Sequence, residues 1–270
     1  PHKMAMAIKP LEIADWIEVD GDLSADLAVK NELLKNRHAE VFAEVEGSRP
    51  AQAELLASLV DNLATWHPDV NAEIDDDLAP LDAAGRLVQE DLCVMEEDAV
   101  GTYRLTAASL CFPTRWLLGD KIDRPVQAIH GPVPGYDARL STPMDRFFTA
   151  LKPQNPVWRL NWSLVETPEL NLAIRHGVTT FDPTITSDNA GDKIWLRVER
   201  QTLRRLPATQ AIIFTIRIYR NPLSEVAADP AVAGQLLGAI DALPDDVRDY
   251  KSLAPFEAAL RGYLTNRMST

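Results

Sequence analysis

Three stretches of two-residue alternation restrict what this chain can build. Over 157–165, Trp158, Leu160, Trp162 and Leu164 alternate with Arg159, Asn161 and Ser163. Over 193–206, Trp195, Arg197, Glu199 and Gln201 share one parity. Over 211–219, Ile212, Phe214, Ile216 and Ile218 alternate with Thr215, Arg217 and Tyr219. A period of two marks a strand with two unlike faces. The turn residues Pro207-Ala208-Thr209 predict that the last two strands form a hairpin. Residues 87–96 and 102–112, apolar runs separated by Glu96-Glu97-Asp98, predict a second antiparallel hairpin.

Around these strands the period changes to that of a helix. Residues 26–38 carry Leu27, Val29, Leu33 and Leu34 at helical spacing, with Ser24 as a cap. The pattern is expected to continue through 41–46 until Gly47-Ser48-Arg49-Pro50 breaks it. A second helix is predicted over 51–66, with Leu55, Leu56, Leu59, Val60 and Leu63 on one stripe, ended by His67-Pro68. Residues 69–86 are acidic and loop-like, 116–120 a helical turn, and 140–151 a helix carrying Met144, Phe147, Phe148 and Leu151. Helices over 227–243 and 244–266 close the chain. The expected class is α+β in one domain, with a helical extension over about 1–86, a sheet core over 87–222 and C-terminal helices over 223–270.

Composition narrows the function. Forty acidic residues against 27 basic ones give a formal net charge of -13, which repels phosphate backbones and argues against nucleic-acid binding. No apolar run approaches the roughly 18–20 residues of a membrane span, and no signal-peptide pattern stands at the start, so a cytoplasmic protein is expected. Cys93 and Cys111 sit in apolar runs and form no Cys-x-x-Cys pair, so buried free thiols are expected. Dinucleotide, P-loop, serine-hydrolase and zinc-protease signatures are missing from the sequence.

Two places remain for chemistry. In Ala128-Ile129-His130-Gly131-Pro132-Val133-Pro134-Gly135-Tyr136, a histidine enters a segment of two glycines and two prolines, residues that limit or specify backbone states. His130 is either a metal ligand or a turn histidine bonded to a backbone carbonyl. The other place is a polar strand face that groups Arg159, Asn161, Ser163, Arg197, Glu199, Gln201, Arg217 and Tyr219. That face is either the wet side of the sheet or the lining of a pocket.

Five ordered motifs resemble one family. They are Gln89-Glu90-Asp91-Leu92-Cys93, Leu110-Cys111-Phe112-Pro113-Thr114-Arg115-Trp116, the His130 segment, Trp158-Arg159-Leu160-Asn161-Trp162-Ser163, and the run from Arg197-Val198-Glu199 to Arg205-Leu206-Pro207. Together they are similar to the haem-dependent oxidative N-demethylase family, which includes the haem subunit of dimethylamine monooxygenase. The resemblance implies a PAS-like antiparallel sheet gripping haem b. It also implies oxidation of a small secondary methylamine by dioxygen to the demethylated amine and formaldehyde. Electrons would come from NADPH through FMN and a [2Fe-2S] centre on partner polypeptides.

On that reading His130 is the axial iron ligand, with His176, His38 and His67 as competitors. Arg115, Arg139, Arg159 and Arg204 are candidate partners of the haem propionates, and Tyr136 belongs to the cofactor site. Glu199 is expected to contact the substrate amine, unless it only pairs with Arg197 or an arginine on the neighbouring strand. The rival functions are a haem-PAS sensor and a small-molecule binding protein without catalysis.

Overall fold

The computed structural model describes residues 7–131, 141–175 and 182–269, apart from the side chains of 141–143 and 145. Seven antiparallel strands form one mixed-order sheet: β1 (Lys9–Pro10), β2 (Phe42–Glu44), β3 (Asp91–Glu97), β4 (Tyr103–Ser109), β5 (Val157–Val165), β6 (Trp195–Arg205) and β7 (Ile212–Pro222). Their spatial order is β1-β5-β6-β7-β3-β4-β2. The sheet is thus a meander, β5-β6-β7, whose last strand pairs with the β3-β4 hairpin. Both predicted hairpins form.

Register sets the two faces, because residues opposite one another in antiparallel strands share a side. Arg159 pairs with Gln201, Asn161 with Glu199 and Ser163 with Arg197. Continuing across the sheet, Gln201 pairs with Ile216 and Leu203 with Phe214. The sequence-based grouping fails at Arg217 and Tyr219. They pair with Arg200 and Val198, so they stand on the opposite face.

That opposite face is covered by the N-terminal third of the chain. Helices α1 (Leu23–Asn36), α2 (Arg49–Trp66) and α3 (Pro80–Gly85) supply Leu33, Leu34, Leu55, Leu59, Leu63, Leu81 and Ala84 to the main core, alongside Leu92, Val94 and Ile213 of the sheet. Ion pairs fasten the segment leading into α1: Arg200 to Glu18 at 3.0 Å and Arg217 to Asp20 and Asp26 at 2.7 and 3.2 Å. Lys30, fully buried, donates to the carbonyls of Val88 and Glu90 at 2.9 and 2.5 Å. Glu54 of α2 accepts the backbone N–H groups of Ala208 and Thr209, both at 2.7 Å, and so caps the β6-β7 turn.

Two helical expectations are corrected. Residues 42–44 form β2 instead of prolonging the helix, because the free edge of β4 offers pairing to Phe42, Ala43 and Glu44. The expected helix over 244–266 is divided into a short helix at Asp245–Tyr250 and another at Glu257–Met268. Ser252 takes a left-handed φ of 55° between them, and Pro255 lacks the N–H that a continuous helix would use. With Pro230–Asp241 these helices enclose a second apolar cluster, containing Leu164, Ile194, Leu253, Phe256, Leu260 and Leu264. Among the described residues no helix is long and apolar enough to cross a membrane.

Candidate functional site

The face bearing Arg159 and Gln201 carries the pocket. Val126–Ile129 makes one helical turn, α4, and His130 follows as its C-terminal cap residue. The Val126 carbonyl receives both the His130 backbone N–H at 3.1 Å and the ring Nδ1–H at 2.8 Å. A carbonyl only accepts, so Nδ1 carries the proton and Nε2 keeps its lone pair, the tautomer an iron ligand requires. Burial, with Lys121 and Arg159 adding to it, lowers the proton affinity of the imidazole below its ordinary range. The ring is therefore neutral at neutral pH.

His130 opens into a cavity with about 500 Å³ of empty space, part of it continuous with solvent. The walls come from every side of the fold: Met95 and Phe214 from neighbouring strands, Leu203 from β6, Val126 from α4, and Ile8 from the residue preceding β1. Helix α5 (Ser141–Ala150) adds Met144, Phe147 and Phe148. Among the described residues the polar side chains in the lining are His130, Arg159 and Gln201, the last two brought together by their direct cross-strand pairing. Largely apolar walls with a few convergent polar groups are the usual lining of a small-molecule or prosthetic-group site.

Arg159 reaches the cavity without an ion pair shorter than 4 Å to any described carboxylate, and its buried Nε finds no partner there. Desolvation pulls its proton affinity down, and the charge of Glu199 pulls the other way. A guanidinium in that state is suited to an incoming carboxylate. The neutral Nδ1-protonated imidazole, the aromatic and thioether walls, and this arginine together fit the demands of a haem group.

The remaining predicted residues fall in different places. Glu199 lies behind the lining, with Oε1 accepting from the Thr114 hydroxyl at 2.6 Å and Oε2 from Gln201 and Asn161 at 2.7 and 3.3 Å. The expected pairing with Arg197 is indirect. Arg197, only 1% exposed, donates to the same Thr114 oxygen at 2.9 Å and to the carbonyls of Phe112, Leu170 and Glu169. Arg115 takes a left-handed φ of 60° and holds Glu166 at 2.6 Å, outside the pocket lining. Arg204 is not brought to the pocket at all: its guanidinium stacks 4.5 Å over Trp16 on the opposite face. Even-numbered residues of β6 face away from Gln201, which is the physical reason.

Of the competing histidines, His38 bonds Asp82 at 2.6 Å and His67 bonds the Ile17 carbonyl at 3.0 Å, both among the N-terminal elements. Tyr136, Arg139 and His176 lie outside the described residues. Sequence reasoning missed Arg205, which pins α5 to the sheet. Its Nε donates to the Leu151 carbonyl at 2.7 Å and its Nη2 to the Tyr103 hydroxyl at 2.8 Å. Its odd position, shared with Gln201 and Leu203, was the available signal.

Fold and site define a class: a mixed helix–sheet protein in which a sheet face, a short helix and an amphipathic helix enclose an imidazole-bearing pocket. Comparison with known families makes this specific. A family model for haem-dependent oxidative N-demethylase, alpha subunit-like, matches residues 7–261, and the chain belongs to that family. The family is thus one of haem-dependent oxidative enzymes.

Proposed function

We propose that this chain is the oxygenase component of an enzyme that removes a methyl group from a small secondary methylamine, dimethylamine or a close relative. The overall reaction converts the N-methyl amine, dioxygen and two electrons from NADPH, with two protons, into the demethylated amine, formaldehyde and water. The observation that carries the reading is the neutral imidazole of His130, fixed through Nδ1 to Val126 and set in an apolar cavity beside Arg159.

As axial ligand, His130 would hold haem b in a PAS-like setting, and the group would supply dioxygen activation and oxidation of the methyl carbon. The protein's own part is to position and to neutralise. Arg159 is the leading propionate partner, with Arg115, Arg139 and Tyr136 as further members of the cofactor site. The walls from Phe147, Phe148, Leu203 and Phe214 give the reacting centre apolar surroundings. Glu199 supplies a negative charge next to the pocket, a countercharge for an alkylammonium, which is the form these amines take at neutral pH.

FMN and a [2Fe-2S] centre belong, on this reading, to a separate NADPH-dependent reductase. The acidic charge of the chain suits a donor with basic residues around its exit. The deciding experiment is an optical spectrum of the purified protein and its His130→Ala variant. Loss or displacement of the Soret band with reduced haem occupancy is expected. An unchanged band at full occupancy refutes the assignment.

A further inference from the structure

Gln201 is the pocket residue whose orientation is imposed from behind. Its side-chain nitrogen donates to Glu199 Oε2 at 2.7 Å. That oxygen can only accept, and Asn161 occupies it from another side at 3.3 Å. The other carboxylate oxygen receives Thr114, which is itself held by the buried Arg197. Asn161 and Thr114, the latter backed by Arg197, therefore hold Glu199 in place, and Glu199 in turn decides which end of the Gln201 amide is which. Turning the amide over would set its carbonyl against a carboxylate oxygen, so the NH2 group faces Glu199.

The carbonyl Oε1 is the end left for the cavity. It accepts no hydrogen bond from the described residues, and the residue lines the open space there. The other polar lining groups cannot do the same work. Arg159 has donors only, and His130 Nε2 is the atom assigned to iron. The geometry points to Gln201 Oε1 as the hydrogen-bond acceptor for the N–H of the substrate amine, making Gln201 the residue that selects alkylamines bearing an N–H. The inference rests on the pocket reading above and moves the direct amine contact from Glu199 to the residue that Glu199 orients. A buried carbonyl left unmatched penalises any ligand without a donor, and such mismatches discriminate strongly.

The test is binding of two probes to the haem-loaded protein, by calorimetry and by the shift of the Soret band. Dimethylamine carries N–H in both its protonation states, whereas tetramethylammonium carries none at any pH. Gln201→Met keeps length and removes the acceptor. It is expected to weaken dimethylamine binding by about tenfold, the size of one buried hydrogen bond, and to leave tetramethylammonium binding equally poor in both proteins. Dimethylamine affinity within twofold of wild type overturns the inference, and so does an equal loss for both probes, which would mark lost packing.

Gln201→Glu guards against a methionine variant that fails to fold. Its inner oxygen meets Glu199 Oε2 through one proton shared between the two carboxyls, and its outer oxygen stays an acceptor toward the cavity. Dimethylamine should therefore still bind at a pH that keeps that proton, and loss of binding there also overturns the inference. A failure of the pocket reading shows separately, as a wild-type protein with no Soret band. Calorimetry with dimethylamine still decides the part played by Gln201 in that case.

Discussion

Replacing Arg197 by methionine keeps most of the side-chain volume and removes every N–H of a guanidinium that is 1% exposed. Three backbone carbonyls lose their donor: Phe112 at 2.7 Å, Leu170 at 2.9 Å and Glu169 at 3.1 Å. Thr114 loses another at 2.9 Å. Burial lowers the guanidinium to about 10, so the group is still a cation at neutral pH and its hydrogen bonds are charge-assisted. An orphaned buried acceptor costs about 1 to 3 kcal/mol. The carbonyls of Leu170 and Glu169 lie on a connecting segment that can relax toward water, which places the sum near the lower bound, about 3 to 4 kcal/mol. That is a large part of a domain stability of roughly 5 to 15 kcal/mol. Urea unfolding of the variant should show the midpoint falling with little change in slope. A loss below about 1 kcal/mol would refute the account, since it would mean that these carbonyls find other partners at no cost.

Two further outcomes follow from the same contacts. The folded pocket disfavours protonation of His130, while an unfolded chain takes up that proton near pH 6.5, roughly the ordinary histidine value. The stabilisation from this group is therefore complete above about pH 6.5 and is lost as the pH falls toward the folded value. His130→Gln should flatten that part of a melting-temperature series in the haem-free protein, and a variant with the wild-type slope would count against it. Gly85→Ala would place a Cβ 2.1 Å from Ser109 Oγ and 2.8 Å from its Cβ, an overpacking expected to cost about 1 to 3 kcal/mol. Adding Ser109→Gly should restore most of the loss, and no recovery in the double variant would refute the clash.

How much of this was legible depends on which distance in the chain carries the signal. Alternation at Trp158, Leu160 and Trp162, and again at Arg197, Glu199 and Gln201, was enough to place the strands, because side-chain direction is local. The phase between strands is not local. Nothing in the residues themselves says that Arg217 pairs with Arg200, and so Arg217 and Tyr219 were assigned to the wrong side. The turn before β7, where Gln210 takes a φ of 62°, sets that phase. Arg204 is the opposite case, since its parity already separated it from Gln201.

At the site, His130 stood out by its glycine and proline neighbours. Its bond to Val126 bears out the carbonyl-bonding reading and leaves Nε2 as the nitrogen that ligation would use. Ile8, Met95 and Phe214 carried no mark of the pocket, because apolar residues at ordinary spacing serve any core.

The order of the strands has a consequence for the birth of the pocket. The meander can zip from its own turns, but β7 meets β3 through partners as distant in the chain as Asp91 and Ile216, a closure that is slow and entropically opposed. Met95 stands on one side of that seam, and Arg159, Gln201, Leu203 and Phe214 on the other. A nascent chain therefore has no complete cavity until this long-range pairing is made. Ligand capture must follow that closure, and it then acts as a latch on the seam.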